Sequence, residues 1–202
     1  MIDGLSKKKQ ELLTRVIDVA EAEVAESGAI GLKARDIAKT AGVALGSIYT
    51  VVEDMDDVVT HVNSRTLQRL GSALRAAVPA DGDAVDVMHA LAAGYVTFAL
   101  ENLNLWTAIF TQTLPAGKSY PDWHKADYPP LIEQIIAPLS ELRPDLEGDA
   151  LSLRARTLFA SVHGVVSMSV FGRFVGVPSE ALHAEVNALV EAMTRGLEAP
   201  KR

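Results

Sequence analysis

Lys33–Val52 reads KARDIAKTAGVALGSIYTVV, and the reading of this stretch decides the fold. Ala34, Ile37, Ala38 and Ala41 recur at helical spacing and give a first short helix a small apolar face. Gly42 follows at once, the residue that most readily takes the left-handed conformation ending a helix. Val43 plugs the corner, and a second short helix runs from about Ala44 to Thr50 with Ile48 facing inward. Leu45, Ser47, Tyr49 and Thr50 are left largely unused by packing. So short a helix is marginal alone and must be held by its neighbours. Short helix, glycine turn, short helix with spare side chains is the helix-turn-helix pattern, whose second helix enters a DNA major groove. An ordinary packed helix pair has the same spacing, and spacing alone leaves both readings open.

Working outward, Ser6 is placed to cap a first helix reaching about Ser27, with Leu12, Leu13, Val16, Ile17, Val19, Ala20 and Val24 on one stripe and Gly28 as its stop. Lys7, Lys8 and Lys9 at its start are either a solvated end or phosphate contacts. After Val52, Asp54 is positioned to cap a long helix and Asp57 to close a capping box. Val58, Val59, Val62, Leu67, Leu70 and Leu74 carry that helix to about Val78, where Pro79 and a polar segment end it. The remainder reads as helices only. Asp83 to Asn102 is one, Asn104 caps a short one, and Leu114–Pro130 is a loop with a helical turn at Trp123. Another helix runs from about Pro130 to Leu142 and a long one from Gly148 to Phe174. After Gly176-Val177-Pro178, Ser179 caps a last helix whose stripe is Leu182, Val186, Leu189, Val190, Met193 and Leu197. The expected fold is all-α, about nine helices, with a three-helix helix-turn-helix domain over residues 1–53 and a helical ligand-binding and dimerisation domain over 54–202.

The run Gly31-Leu32, Arg35-Asp36-Ile37-Ala38, Ala41-Gly42-Val43 and Gly46-Ser47-Ile48-Tyr49 resembles the signature of the TetR (tetracycline-repressor-like) transcription regulators. The match covers roughly residues 7 to 70; beyond it, only length and helical pattern agree. The resemblance implies a homodimer joined through the last two helices, an operator of double-stranded DNA and a small-molecule effector. It also implies DNA contacts. Lys33, Ala34 and Arg35 face phosphate or an adjacent base, and Leu45, Gly46, Ser47, Tyr49 and Thr50 form the recognition surface. Ser47 and Thr50 suit base edges, Leu45 a thymine methyl, and Tyr49 a phosphate. Trp106 with His163-Gly164 also resembles the Trp/His-Gly pattern of one C-terminal subclass.

The chain departs from the family in several places. Val51 and Val52 replace a common aromatic pair, Met55 stands where a lysine is common, and Ala44 cannot cap the recognition helix. Residues 1–52 carry seven Lys or Arg against seven Asp or Glu, and Glu53, Asp54, Asp56 and Asp57 follow. Phosphate neutralisation supplies most non-specific affinity, so modest DNA affinity with a shallow salt slope is expected. A dimeric small-molecule-binding protein that has lost operator recognition is the alternative.

Composition sets the outer bounds. With 49% hydrophobic and 22% charged residues in a chain of 202, a substantial core is available and an ordered chain is expected. The formal charge of −7 argues against a body coated for nucleic acid or anionic membrane. There is no cysteine, hence no disulfide or thiolate chemistry, which agrees with a reducing cytoplasm. MIDGLSKKKQ lacks the apolar core of a signal peptide. The uncharged run Thr157–Gly172 is 16 residues with a central His163, too short for a membrane span. A soluble, cytoplasmic protein without membrane contact is expected.

Candidate effector residues are the aromatic and polar side chains beyond the DNA-binding end: Tyr95, Phe98, Trp106, Phe110, Trp123, Tyr128, His163, Met168 and Phe171. In a helical domain each belongs either to the core or to a pocket between helices. His163-Gly164 stands out inside the most apolar helix, because a glycine there lowers stability and a buried histidine needs a partner. His163 near Ser161, or His124 near Asp122 and Asp127, raises acid–base catalysis. No nucleophile elbow, phosphate loop or metal-ligand spacing supports it. The chain is therefore expected to be no enzyme and to use no cofactor or metal.

Overall fold

The computed structural model describes residues 6–172 and 175–195. Among them are ten helical segments and no strand: α1 (Lys7–Ser27), α2 (Ala34–Ala41), α3 (Leu45–Ile48), α4 (Met55–Ala77), α5 (Ala84–Glu101), α6 (Leu103–Thr111), α7 (Asp122–Lys125), α8 (Pro129–Leu142), α9 (Gly148–Val170) and α10 (Leu182–Arg195). Two of these, α3 and α7, are single turns of four residues.

Packing divides the chain into two compact units, one of residues up to 69 with 102–127, the other of 70–101 with 128 onward. This grouping differs from a cut at residue 53, because α6 returns to pack on α1 and α4 contributes residues to both units. In the first unit, α1 packs on α2, α3 and α6, and α2 on α3. Its core is Leu13, Val16, Ile17, Ala20 and Val24 of α1 with Ile37, Ala38, Ile48, Val52, Val58, Val62, Leu105 and Ala108. Each fully buried Val, Ile or Leu among them contributes about 1.5–3 kcal/mol. In the second unit, α5 packs against α8, α9 and α10, and those three against one another.

Capping explains where several helices begin and where expectation failed. Asp83 Oδ1 accepts the Val85 and Asp86 N–H groups at 2.9 Å, which fixes the start of α5. Asp54 Oδ1 accepts Asp57 N–H at 2.9 Å, while the Asp57 carboxylate reaches back to Glu53 N–H at 3.0 Å, one residue earlier than a closed capping box. Ser6 stands at the α1 N-cap, but its side chain makes no capping bond. Asn104 does not cap α6. It donates instead to Ala25 O and Glu26 O, orphan carbonyls at the end of α1, and Asn102 takes the cap position. Ser179 lies in a turn ahead of α10, which starts only at Leu182. Phe174 and Leu197 lie outside the described residues.

Candidate functional site

The helix-turn-helix forms as the sequence dictates, with one shortening. Gly42 has φ +67° and ψ +37°, and its N–H donates to Ala38 O and Lys39 O, while Val43 N–H donates to Ala38 O at 3.0 Å. These bonds close α2 and aim the chain into α3. The second helix is four residues rather than the expected Ala44–Thr50, because Ala44 offers no side-chain cap and Thr50 Oγ1 bonds back to Ser47 O at 2.7 Å. Val51 and Val52 N–H both donate to Ile48 O and complete a turn. Ile37 and Ile48 are fully buried, and Val43, Ala34 and Val51 pack against the same core. Inward residues are thus consumed.

What remains faces out. Lys33, Arg35, Leu45, Gly46, Tyr49 and Thr50 are exposed, and Ala34 and Ser47 are half-buried. Leu45 at 42% and Tyr49 at 49% exposure are large side chains left about half open to solvent. An added Cβ at Gly46 would meet nothing within 4 Å, so no intramolecular contact demands that glycine.

Behind this surface lies a polar strap that sequence reasoning missed. Gln112 receives Asn63 Nδ2 at 2.7 Å and gives its own amide protons to Asp56 O at 2.9 Å and Thr60 Oγ1 at 3.0 Å. Tyr120 donates to Gln112 O, and Lys118 pairs with Asp54. The Lys118 ammonium beside Asp54 holds that carboxyl below the usual range, and so tempers the acidic run after α3. Arg65 bonds Asp18 at 2.6 Å and Glu21 at 3.1 Å, and Arg69 bonds Glu21 at 2.8 Å, tying α4 to α1. No motif spacing announces such bonds, because their partners lie up to 64 residues apart in sequence.

His124 and Asp127 do meet a serine, but not as catalytic groups. Ser64 Oγ donates to Asp127 Oδ2 at 2.5 Å and lies 2.8 Å from His124 Nδ1. A hydroxyl has one proton; given to the carboxylate, it leaves Ser64 as acceptor from a His124 Nδ1–H. Serine therefore stands between histidine and aspartate instead of beyond the histidine, and both Ser64 and His124 are buried. A nucleophile needs the reverse order and access to substrate. Burial pushes the His124 imidazole below its ordinary pKa.

The second unit holds an apolar cavity of about 490 Å³, its open mouth included. It is lined by Leu70 and Leu74 of α4, Met88, Leu91, Ala92 and Tyr95 of α5, Leu131 and Ile135 of α8, Leu158, Phe159 and Val162 of α9, and Val190 of α10. The α5 set falls at i, i+3, i+4 and i+7, one face of one helix. Of the nine expected effector residues only Tyr95 is among these. Its hydroxyl lies 2.8 Å from His163 Nδ1, the partner that histidine needed, and Phe159 stacks on the His163 ring with centroids 6.1 Å apart. Burial pushes the His163 imidazole below its ordinary pKa. Phe98, in the second unit, and Trp106, in the first, are buried, Trp106 fully so, with Phe110 tilted against it at 5.2 Å. Trp123 stacks on His61 at 4.4 Å in the first unit. Tyr128, Met168 and Phe171 are exposed at 38%, 39% and 43%. The aromatics were not the cavity's signature; the leucine, methionine and valine positions at helical spacing were.

The described residues are thus all helical, with a helix-turn-helix in one unit and an apolar cavity in the other. Residues 88–196 match the family described as tetracyclin repressor-like, C-terminal domain. Structures similar to this one include a protein with unknown function from Rhodococcus sp. RHA1 (TM-score 0.72, 24% identity, covering 93% of this chain and 96% of that one). Another is the transcriptional regulator FadR from Bacillus subtilis in complex with stearoyl-CoA (TM-score 0.69, 18% identity, 92% of this chain and 99% of that one). A third is the TetR family transcriptional regulator PfmR from Thermus thermophilus (TM-score 0.60, 16% identity, 92% of this chain and 100% of that one). At these identities the likeness speaks for the fold. No curated protein matches the sequence. With more than half of its length in that family match, the chain belongs to the TetR family of transcriptional regulators, a class without enzymatic activity. Among the described residues, no helix is long and apolar enough to cross a membrane.

Proposed function

We propose that this chain is a ligand-responsive, dimeric DNA-binding repressor, released from a palindromic operator when a small, mostly apolar effector enters the second unit. The observation that carries the reading is the outward face of α2 and α3. Lys33, Arg35, Leu45, Ser47, Tyr49 and Thr50 stand there around a glycine that packing does not require. In this reading residues 1–53 meet DNA and 54–202 bind effector and partner. Reading two half-sites about 34–36 Å apart requires a two-fold dimer.

The partner surface is assigned to α9 and α10. Leu153, Met168 and Phe171 are exposed along α9 and its following turn. Gly164 sits mid-helix, where it costs about 1 kcal/mol relative to alanine, yet a Cβ there would meet nothing within 4 Å. A close helix from a second copy supplies the reason the single chain lacks. Effector binding acts through α4, whose Leu70 and Leu74 line the cavity while its Val58 and Val62 belong to the core beneath the helix-turn-helix. The effector works only through its differential affinity for the two states of the dimer.

Selection of bound fragments from random duplexes, repeated with candidate metabolites, tests this function. An enriched palindrome lost on adding one metabolite is the expected result. The near-neutral charge of residues 1–52 favours a second reading, a dimeric ligand-binding protein without an operator. Absence of any specific fragment by fluorescence anisotropy at low salt would establish it.

A further inference from the structure

Resting on the reading of the cavity as the effector site, we propose that it selects an uncharged, hydrocarbon-rich molecule with one hydrogen-bonding group, received by the Tyr95 hydroxyl that His163 holds from behind. Among the described residues no Lys, Arg, Asp or Glu lines the cavity, and Tyr95 is the lining residue with a polar side chain in a wall that is otherwise hydrocarbon. A carboxylate or phosphate drawn into such a wall loses its hydration without gaining a counter-ion. His163 does not supply that charge, because burial favours its neutral form. It lies behind the wall and fixes the Tyr95 hydroxyl at 2.8 Å. A phenol hydroxyl both donates and accepts, so it suits an alcohol, ketone or ester equally.

The pair is also held in place. The Phe159 ring stacks on His163 at 15° and meets Tyr95 edge-on at 5.6 Å and 78°, so both polar rings rest against the same lining side chain. Preorganisation of this kind favours a single fixed group over a flexible charged one.

The hydrocarbon chain itself could arrive free or attached to a charged carrier that stays outside the mouth, and competition separates the two. The uncharged fluorophore N-phenyl-1-naphthylamine is bound to the full chain at pH 8 and displaced by 1-dodecanol, dodecanoate or dodecanoyl-CoA. Dodecanol should displace it at a concentration at least about tenfold below either anion, given what burial of a charge forfeits. Tyr95→Phe, which keeps the ring and removes the hydroxyl, should weaken dodecanol about three- to tenfold relative to the fluorophore titrated on the same variant, the worth of one neutral hydrogen bond. Equal displacement by dodecanoate or dodecanoyl-CoA, or a dodecanol titration unaltered relative to the fluorophore in Tyr95→Phe, would overturn the selection for neutral ligands. Failure of the fluorophore to bind the wild-type chain, or undiminished binding to Ala92→Leu with its cavity filled, would overturn the effector site itself.

Discussion

Gly42 and Gly46 sit four residues apart and answer to different demands. Gly42 holds φ +67°, a conformation that costs an L side chain about 1–2 kcal/mol, and no neighbour would obstruct its Cβ. Gly42→Ala should therefore lower stability by about that amount in urea unfolding, through the backbone alone. Gly46 has no such φ and equally open surroundings. Gly46→Ala should raise stability by up to about 1 kcal/mol from helix propensity, yet weaken operator binding if its role is close approach to DNA. Unchanged DNA affinity would remove that role. His124 gives a pH dependence of definite sign. Its folded-state pKa lies below the unfolded value near 6.5, so its contribution is complete above that value. As pH falls below 6.5 the unfolded chain takes up the proton first, and stability declines until the folded imidazole also titrates. His124→Gln should flatten the fall in unfolding midpoint between about pH 7.5 and 5.5.

At the scale of elements, the apolar stripes of α1, α2 and α4 were legible because helical periodicity reports burial one helix at a time. Partners across helices were not. Asn104 reads in sequence as a cap for its own helix, and it serves the far end of α1, because an orphan carbonyl accepts from whichever amide the fold delivers. Gln112 carries no sequence signal at all, yet it joins Asn63, Asp56 and Thr60. Gln112→Ala should destabilise by about 1–3 kcal/mol, since it strands buried or part-buried polar groups without replacing them. The surface of α2 and α3 permits a different experiment. Arg35→Ala and Tyr49→Ala, both at exposed positions, should weaken operator binding with the unfolding midpoint and dimer intact; loss of the dimer in either would contradict the assignment.

For the whole molecule, the all-α architecture and the family could be read from residues 31–49, a contiguous stretch in which every spacing is local. The cavity could not. Its lining comes from five helices, and no single helix shows which of its apolar residues leaves space beside it. Large aromatics drew attention instead, and Trp106 and Phe98 proved to fill space, not to enclose it. Dimerisation is testable at the same scale: a Cβ added at Gly164 would meet nothing within 4 Å in its own chain, so Gly164→Ala should keep the fold by circular dichroism and shift sedimentation towards the monomer. Gly71 of α4 presents the opposite case, for a Cβ there would come within 3.2 Å of Leu131 Cδ2, on a side chain that walls the cavity. One extra methyl at that position would press the wall inward, taking up with a single carbon some of the room a guest would need. Gly71→Ala would thus narrow the cavity from behind without replacing any side chain that lines it.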